Sequence, residues 1–559
     1  MKKTLFFAGL SFLTAVTSCR PEKEPTACFN FFEYRGNDQI FNSKIDSEKQ
    51  YFNPILCGFY PDPSICRKNK DYYLVNSSFA FYPGIPIFTS KDLVNWEQIG
   101  HVLDRPSQLK LDSIRISGGI YAPDISYNKH NDTFYVITTC VDGIGNFVVK
   151  TKDPRAGWSD PILLPEVGGI DPSLFFDDDG KAYIVNNDAP EGPPEWDGHR
   201  AIWIHQYDVD TDKTFGKSKV IVDGGVDKST RPVWIEGPHL YKRNGKYLLI
   251  AAEGGTSINH SEVAFLSDSV FGPYIPSDKN PILTQRNLLE DRKNKITSVG
   301  HADIIEDADG KTWAVFLGCR PYEKNLYNTG RETFLLPVEM HDNIPVILPK
   351  GEQVPLIVEK ENTPSEKNTF NGNFTWRDNF DRTDLNMRWL MIRTPRSRWY
   401  DIVDGQLNLQ ALPTSISEKS QPAFLGFRQQ HTTFEAITEL TFTPRSNRDI
   451  AGLACFQNEG YHIVFGKTRE NGKDVLVVDR TEKGIKHTST VEIPDNYREV
   501  PIKLKITGAG KFYGFYVAYP PESKWQPVVE NIDGSNLSTD KAGGFTGMVI
   551  GPYASSGRR

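Results

Sequence analysis

Apolar and polar positions alternate along this chain in short runs, and helical periodicity is nearly absent, which predicts strands throughout. Between residues 51 and 355 one pattern recurs five times. A polar or acidic residue opens each copy, a short apolar stretch leads to an Asn/Asp/Gly turn, and an aromatic-rich run returns. The copies open at Asp62, Asp124, Asp171, Glu236 and His301, and turn at Asn69, Asn131, Asp179-Gly180, Asn244-Gly245 and Asp309-Gly310. Each predicts a β-hairpin. Further strands such as Ile87-Phe88-Thr89, Phe147-Val148-Val149, Ile202-Trp203-Ile204 and Val263-Ala264-Phe265 follow the first four hairpins. Five sheets of about four strands predict a five-bladed β-propeller, whose radial repetition protects sheet edges. A large sandwich is the alternative, but it would not require the repetition.

Beyond residue 376 the alternation becomes strict, as in Gln406-Leu407-Asn408-Leu409-Gln410 and Ile502-Lys503-Leu504-Lys505-Ile506. Period-two patterning with hairpin turns predicts a β-sandwich over 377–559. The chain as a whole is all-β. Residues 356–376, a mixture of Glu, Lys, Asn, Pro and Thr, read as a linker, and 20–50, rich in Lys, Glu and Asp, as a polar tether with little structure.

The first nineteen residues read as an address. A basic Met1-Lys2-Lys3 precedes an apolar stretch from Leu5 to Val16, too short to span a bilayer comfortably. Val16-Thr17-Ser18-Cys19 then resembles a bacterial lipobox, which implies lipidation of Cys19, a membrane anchor and a place in the bacterial cell envelope, at the periplasmic face or the cell surface. The other reading is an ordinary signal peptide with Cys19 a bystander. The remaining cysteines, Cys28, Cys57, Cys66, Cys140, Cys319 and Cys455, form no CxxC pair, which argues against zinc. Cys57 and Cys66 are candidates for a bridge or for buried thiols.

Composition narrows the function. With 64 Lys+Arg against 71 Asp+Glu, the net charge is −7 over 559 residues, so no positive field draws the protein to nucleic acid or to an acidic polymer. The 33 Phe, 23 Tyr and 10 Trp offer faces suited to sugar rings.

The opening residues carry the chemistry. They stand seven residues ahead of the turn in the first two copies and eight in the other three, which places Asp62, Asp124, Asp171, Glu236 and His301 at one end of the central channel. A ring of like charges is costly unless the groups shift their pKa values, pair with cations or face solvent. Each Asp alone also reads as a strand-end residue bonding backbone amides, and His301 as a packing residue. Glu236 lies amid the apolar run Trp234-Ile235-Glu236-Gly237-Pro238, where burial would raise its pKa into the range of a general acid.

Asn53-Pro54-Ile55-Leu56-Cys57-Gly58-Phe59-Tyr60-Pro61-Asp62-Pro63-Ser64-Ile65 strongly resembles the start of glycoside hydrolase family 43. Tyr121-Ala122-Pro123-Asp124, Gly169-Ile170-Asp171-Pro172-Ser173, Ile235-Glu236-Gly237-Pro238-His239, Gly300-His301-Ala302-Asp303 and Gly330-Arg331-Glu332-Thr333 follow in order. The resemblance is to β-xylosidases and α-L-arabinofuranosidases that carry a C-terminal concanavalin-like sandwich. It implies an inverting mechanism with Asp62 as general base, Glu236 as general acid and Asp171 as the group that tunes and orients the acid. Inversion implies carboxyl groups about 6.5–9.5 Å apart. Arg331 would donate to sugar hydroxyls; a surface salt bridge is its other reading. Phe79, Phe81 and Tyr121 would wall a pocket for one pentose, with packing between blades as their alternative. His301 would lie deep in the channel, where a structural Ca2+ is an option that the chemistry does not require. Phe545 reads either as a sandwich residue at the pocket rim or as core.

The resemblance implies one further strand. Relatives continue past the counterpart of Gly551-Pro552-Tyr553-Ala554 into a last acidic and aromatic strand, whereas this sequence stops at Arg559, so the sandwich is expected to lack an edge strand. The function implied is release of β-D-xylose from nonreducing ends of plant cell-wall oligosaccharides or polysaccharides. Removal of α-L-arabinofuranose branches is the alternative, and a noncatalytic glycan-binding surface lipoprotein is the alternative of another class.

Overall fold

The computed structural model describes residues 24–361, 369–521 and 524–558. The proposed signal peptide and Cys19 lie outside these. Among the described residues, no helix is long and apolar enough to cross a membrane.

The five hairpins form five blades. Blade one pairs Ser64–Lys68, Asp71–Val75, Gly84–Ser90 and Glu97–Leu103 in sequence order. Blades two, three and four begin at Gly119–Asn128, Ile170–Phe176 and Glu236–Arg243, and blade five pairs Thr297–Glu306, Thr312–Cys319 and Glu332–Pro337. Each inner strand packs on the next, and the last on the first. Residues from the start of the domain close the ring: Gln50–Phe52 pairs with Ile357–Glu359, and Leu56 bridges to Thr333. The linker expected at 356–376 therefore begins as a strand.

The inner strands share one irregularity. In blades two to five, three steps along the inner strand oppose two on its neighbour, as between Ile170↔Asn187 and Ser173↔Val185 or Glu236↔Ala252 and His239↔Ile250. A β-bulge of this kind re-aims a side chain. The residue inside each bulge is left-handed: Ala122 at φ 26°, Asp171 at 54°, Gly237 at 54° and His301 at 53°. Asp62, just ahead of the blade-one strand, matches them at 50°. Strain of about 1–3 kcal/mol at such a nonglycine position persists only where its surroundings enforce it.

These φ values correct the expected ring. The equivalent residues are Asp62, Ala122, Asp171, Gly237 and His301; Asp124 lies two residues deeper and Glu236 one residue earlier. Hairpin loops cause the discrepancy, because the number of residues between the paired ends runs from two in blade one (Lys68↔Asp71) to five in blade three (Phe176↔Ala182).

The sandwich faces one sheet ordered Tyr400–Val403, Gln406–Gln410, Thr26–Gly36, Thr433–Thr441, Ile502–Ala509, Phe512–Ala518 and Gln526–Asp533 against a second that includes Val549–Ser555. The strand Thr26–Gly36 corrects two expectations. It lies within the supposed tether, and it fills an interior place in a sheet expected to be one strand short. It is also of the acidic and aromatic kind expected at the other end of the chain. Ala27, Phe29, Phe32 and Tyr34 are fully buried in it, and a register shift between Phe29 and Phe32 accommodates the run Phe29-Asn30-Phe31-Phe32. The signal lay in this alternation, hidden among flanking charges.

The two domains lock together behind the channel mouth. Arg320 Nε donates to Glu332 Oε2 at 2.6 Å and its Nη1 to Asp38 Oδ2 at 2.8 Å, while Nη2 donates to the Gln430 carbonyl. Asp38 also accepts from Thr432 and Thr433 of the sandwich. One arginine thus bonds two buried carboxyl groups and joins both domains. Arg320→Met would leave those charges unpaired and is expected to cost about 3–5 kcal/mol, read as a lower denaturation midpoint at an unchanged slope.

All six described cysteines are free thiols, Cys57 and Cys66 among them, and both of these are buried.

Candidate active site

The bulges bring the site together. Asp62, Asp171, Glu236, His301 and Arg331 line one cavity of about 430 Å³ with Phe79, Tyr121 and Phe545, within the ~300–1,000 Å³ range of small-molecule sites.

Asp62 is held from three sides. Asn76 Nδ2 donates to the Tyr60 and Pro61 carbonyls and fixes the turn that presents it. Ser77 Oγ donates to Asp62 Oδ2 while accepting from the Ala122 amide. Arg331 Nη1 donates to Asp62 Oδ1 at 2.7 Å. Burial opposes ionisation here, but the Arg331 guanidinium, together with the neighbouring imidazoles and the Ser77 hydrogen bond, outweighs it and holds the carboxyl below the ordinary aspartate range. Asp62 is therefore a carboxylate at neutral pH. Arg331 was expected to serve sugar hydroxyls; the structure places it first on Asp62, with its Nε carrying no partner.

Glu236 has the opposite environment. Burial, then the Asp171 carboxyl and then Asp62, push its pKa up. Asp171 is itself raised by burial and by Asp62, and its Oδ2 accepts from the Gly237 amide at 3.3 Å. That bond ties Asp171 to the backbone beside the acid. Two carboxyl groups in one cavity thus carry opposite protonation states, which sorts them into acid and base.

An aromatic wall faces these carboxyls. The Phe79 and Tyr121 rings meet edge-on at 5.2 Å, Phe545 stacks on Phe79 at 6.2 Å, and the Arg331 guanidinium lies 5.5 Å from the Phe545 ring. Phe545 arrives from the sandwich: its amide donates to Ser117 Oγ of the propeller. The rim reading of Phe545 is the one the structure matches. Phe81 does not reach the cavity. It is fully buried, pairs with Ile392 across the domain seam and packs on Phe59.

Asp124 belongs to a lower layer of the channel. His239 Nδ1 lies 3.5 Å from Asp124 Oδ1 and 4.0 Å from Asp303 Oδ2. Although burial lowers the His239 pKa, Asp303 and Asp124 raise it to about 9, so an imidazolium sits between two carboxylates. Their oxygens also accept from Ile65 N, Leu174 N and the Tyr241 hydroxyl. Calcium takes six to eight oxygen ligands. This cluster offers three ligand atoms within 4.8 Å of one another, fewer than that number. His301 stands apart in the upper layer, its pKa lowered by burial to about 4, and is neutral.

Sequence reasoning missed Ser77, Arg115 and Trp234. Arg115 pairs with Asp142 at 2.9 Å and reaches the Tyr121 hydroxyl. Trp234 was read only as an apolar neighbour of Glu236, yet it lines the cavity.

A buried acid and an ionised base on one sugar-sized cavity are the equipment of a glycoside hydrolase. The chain belongs to that class through one family: the pattern described as "Glycosyl hydrolases family 43" matches residues 51–345, and "Beta xylosidase C-terminal Concanavalin A-like domain" matches 377–559. It is 40% identical to a xylosidase/arabinosidase of Butyrivibrio fibrisolvens over 90% of this chain and 95% of that one. It is 34% identical to a non-reducing end alpha-L-arabinofuranosidase of Bacteroides ovatus, over 91% and 92%. A crystal structure of a GH43_12 protein from capybara gut metagenome superposes with a TM-score of 0.87 at 46% identity, covering 95% of this chain and all of the other. The noncatalytic reading finds no support in these likenesses.

Proposed function

We infer that this hydrolase is exo-acting and inverting, and releases β-D-xylose from nonreducing ends of xylan-derived oligosaccharides. The observation that carries this is the opposed protonation of Asp62 and Glu236 on one cavity with an aromatic wall. In the reaction, Asp62 takes a proton from water as the water oxygen bonds to the anomeric carbon. Glu236 gives its proton to the glycosidic oxygen as the bond between that oxygen and the anomeric carbon breaks. Arg331 keeps Asp62 ionised and Asp171 keeps Glu236 protonated. These steps require no metal.

A side-by-side assay on an aryl β-D-xyloside and an aryl α-L-arabinofuranoside tests the substrate. The expected result is a higher kcat/KM on the xyloside; a preference for the arabinofuranoside would reassign the enzyme to branch removal, an activity named for the Bacteroides ovatus relative.

The pH profile tests the roles. Because kcat/KM needs Asp62 ionised and Glu236 protonated, activity falls at low pH as Asp62 takes up a proton and at high pH as Glu236 loses one. Asp171→Asn removes a neighbouring negative charge, so ionising Glu236 becomes less costly. The alkaline limb is expected to move to lower pH by about one unit or more. An unmoved limb would remove Asp171 from this role.

Anchoring through Cys19 to the bacterial envelope is part of the same proposal. Metabolic labelling with palmitate is expected to mark the protein in its native host and to fail in Cys19→Ala.

A further inference from the structure

The cavity has a deep wall and an exposed one. Phe79 is 1% exposed, whereas Trp234, lining the same cavity, is 38% exposed and follows the exposed Val233. Exposure of a large ring beside a catalytic acid calls for an explanation, because the same chain buries most of its other tryptophans.

Trp234 is fixed in place. Its own φ of 51° is a strained left-handed value. Its amide donates to the Gly198 carbonyl, and the Val233 carbonyl accepts from Gly254. Asn187 Nδ2 donates to the Ile235 carbonyl, and Asn187 Oδ1 accepts from Arg200 Nε at 3.0 Å and Nη2 at 2.8 Å. The guanidinium so positioned lies 4.8 Å from the Trp234 ring centre. Strain, three backbone bonds and a braced cation over the ring all hold one indole in one orientation.

The chemistry supplies its purpose. The acid must reach the oxygen that departs with the leaving group, so the leaving sugar stands on the Glu236 side of the cavity. Trp234 is two residues before Glu236 and lines the same cavity with an exposed ring. A flat aromatic face suits the C–H face of a pyranose.

We propose that Trp234, braced by Arg200, is the platform for the leaving sugar and selects unbranched xylo-oligosaccharides with a pyranose next to the scissile bond. This rests on the hydrolase reading above and adds a second subsite to it.

The test compares xylobiose, which carries a leaving sugar, with β-D-xylosyl fluoride, which carries none. In Trp234→Ala the ratio of kcat/KM on xylobiose to that on the fluoride is expected to fall about tenfold or more, and Trp234→Phe to recover most of it. Trp234→Leu, which keeps bulk without a ring face, replaces the Ala variant if that one does not fold. An unchanged ratio in the variant lacking the ring would overturn the proposal. So would a Phe variant no better than Leu. Wild-type enzyme inactive on both substrates would overturn the xylosidase reading, and the platform with it.

Discussion

Asp62→Asn is expected to lower kcat on xylobiose by about 10³–10⁴-fold, the span of general acid–base catalysis at its upper end. The amide keeps the shape of the side chain but has one oxygen, so of the bonds from Ser77 and Arg331, which end on different oxygens, one is kept. It cannot accept the proton of the attacking water. It also leaves the buried Arg331 without its counter-charge, so the variant is to be checked for folding by circular dichroism before its rate is read. Glu236→Gln makes a sharper comparison. A dinitrophenyl leaving group needs little protonation and a sugar needs much, so the loss on xylobiose is expected to exceed the loss on a dinitrophenyl xyloside by about 100-fold. Equal losses on the two substrates would remove Glu236 from the role of acid.

Deleting residues 24–36 is expected to abolish folding of the sandwich and to drive the protein into aggregates. The strand Thr26–Gly36 pairs with Gln406–Gln410 on one side and Thr433–Thr441 on the other. Its loss exposes two rows of backbone donors and acceptors at the centre of a sheet. Phe29, Phe32 and Tyr34 also leave a core in which Phe32 packs on Trp389 at 5.0 Å and Tyr34 on Phe427 at 5.0 Å. The single substitution Phe32→Ala is the milder form and is expected to cost about 3–5 kcal/mol. A deletion variant with the melting temperature of the full chain would show that the strand is an ornament. Asp38 of the Arg320 lock stands two residues beyond the deleted strand, so its anchorage, and with it the seam that carries Phe545 to the cavity, loosens too.

The propeller was legible because its hairpins repeat, and the sandwich because its strands alternate. Register was harder. Counting from the opening residue to the turn grouped Asp124 and Glu236 with Asp62, since hairpin loops of unequal length concealed where the bulge falls. The prolines held the better signal. Pro63, Pro123, Pro172 and Pro238 each follow the left-handed residue of their blade, and aligning on them gives Asp62, Ala122, Asp171 and Gly237 directly. Asp62, Asp171 and Glu236 all reach the cavity, because Glu236 enters from the position beside a bulge glycine. Phe81 misled for a different reason. An aromatic two residues after Phe79 shares its face in an ideal strand, but Phe79 itself is left-handed at φ 49°, so the two rings part, one to the cavity and one to the domain seam. The strand at Thr26–Gly36 was hidden because charges flank its alternation and its partners lie some 400 residues away.

The central claim is that Asp62 activates water directly while Glu236 protonates the departing oxygen. Proton NMR of the sugar first released from xylobiose, recorded before mutarotation, tests it most directly. The account predicts that α-xylose appears first, from a β-linked substrate. β-Xylose appearing first would mean retention through a covalent intermediate and would contradict it.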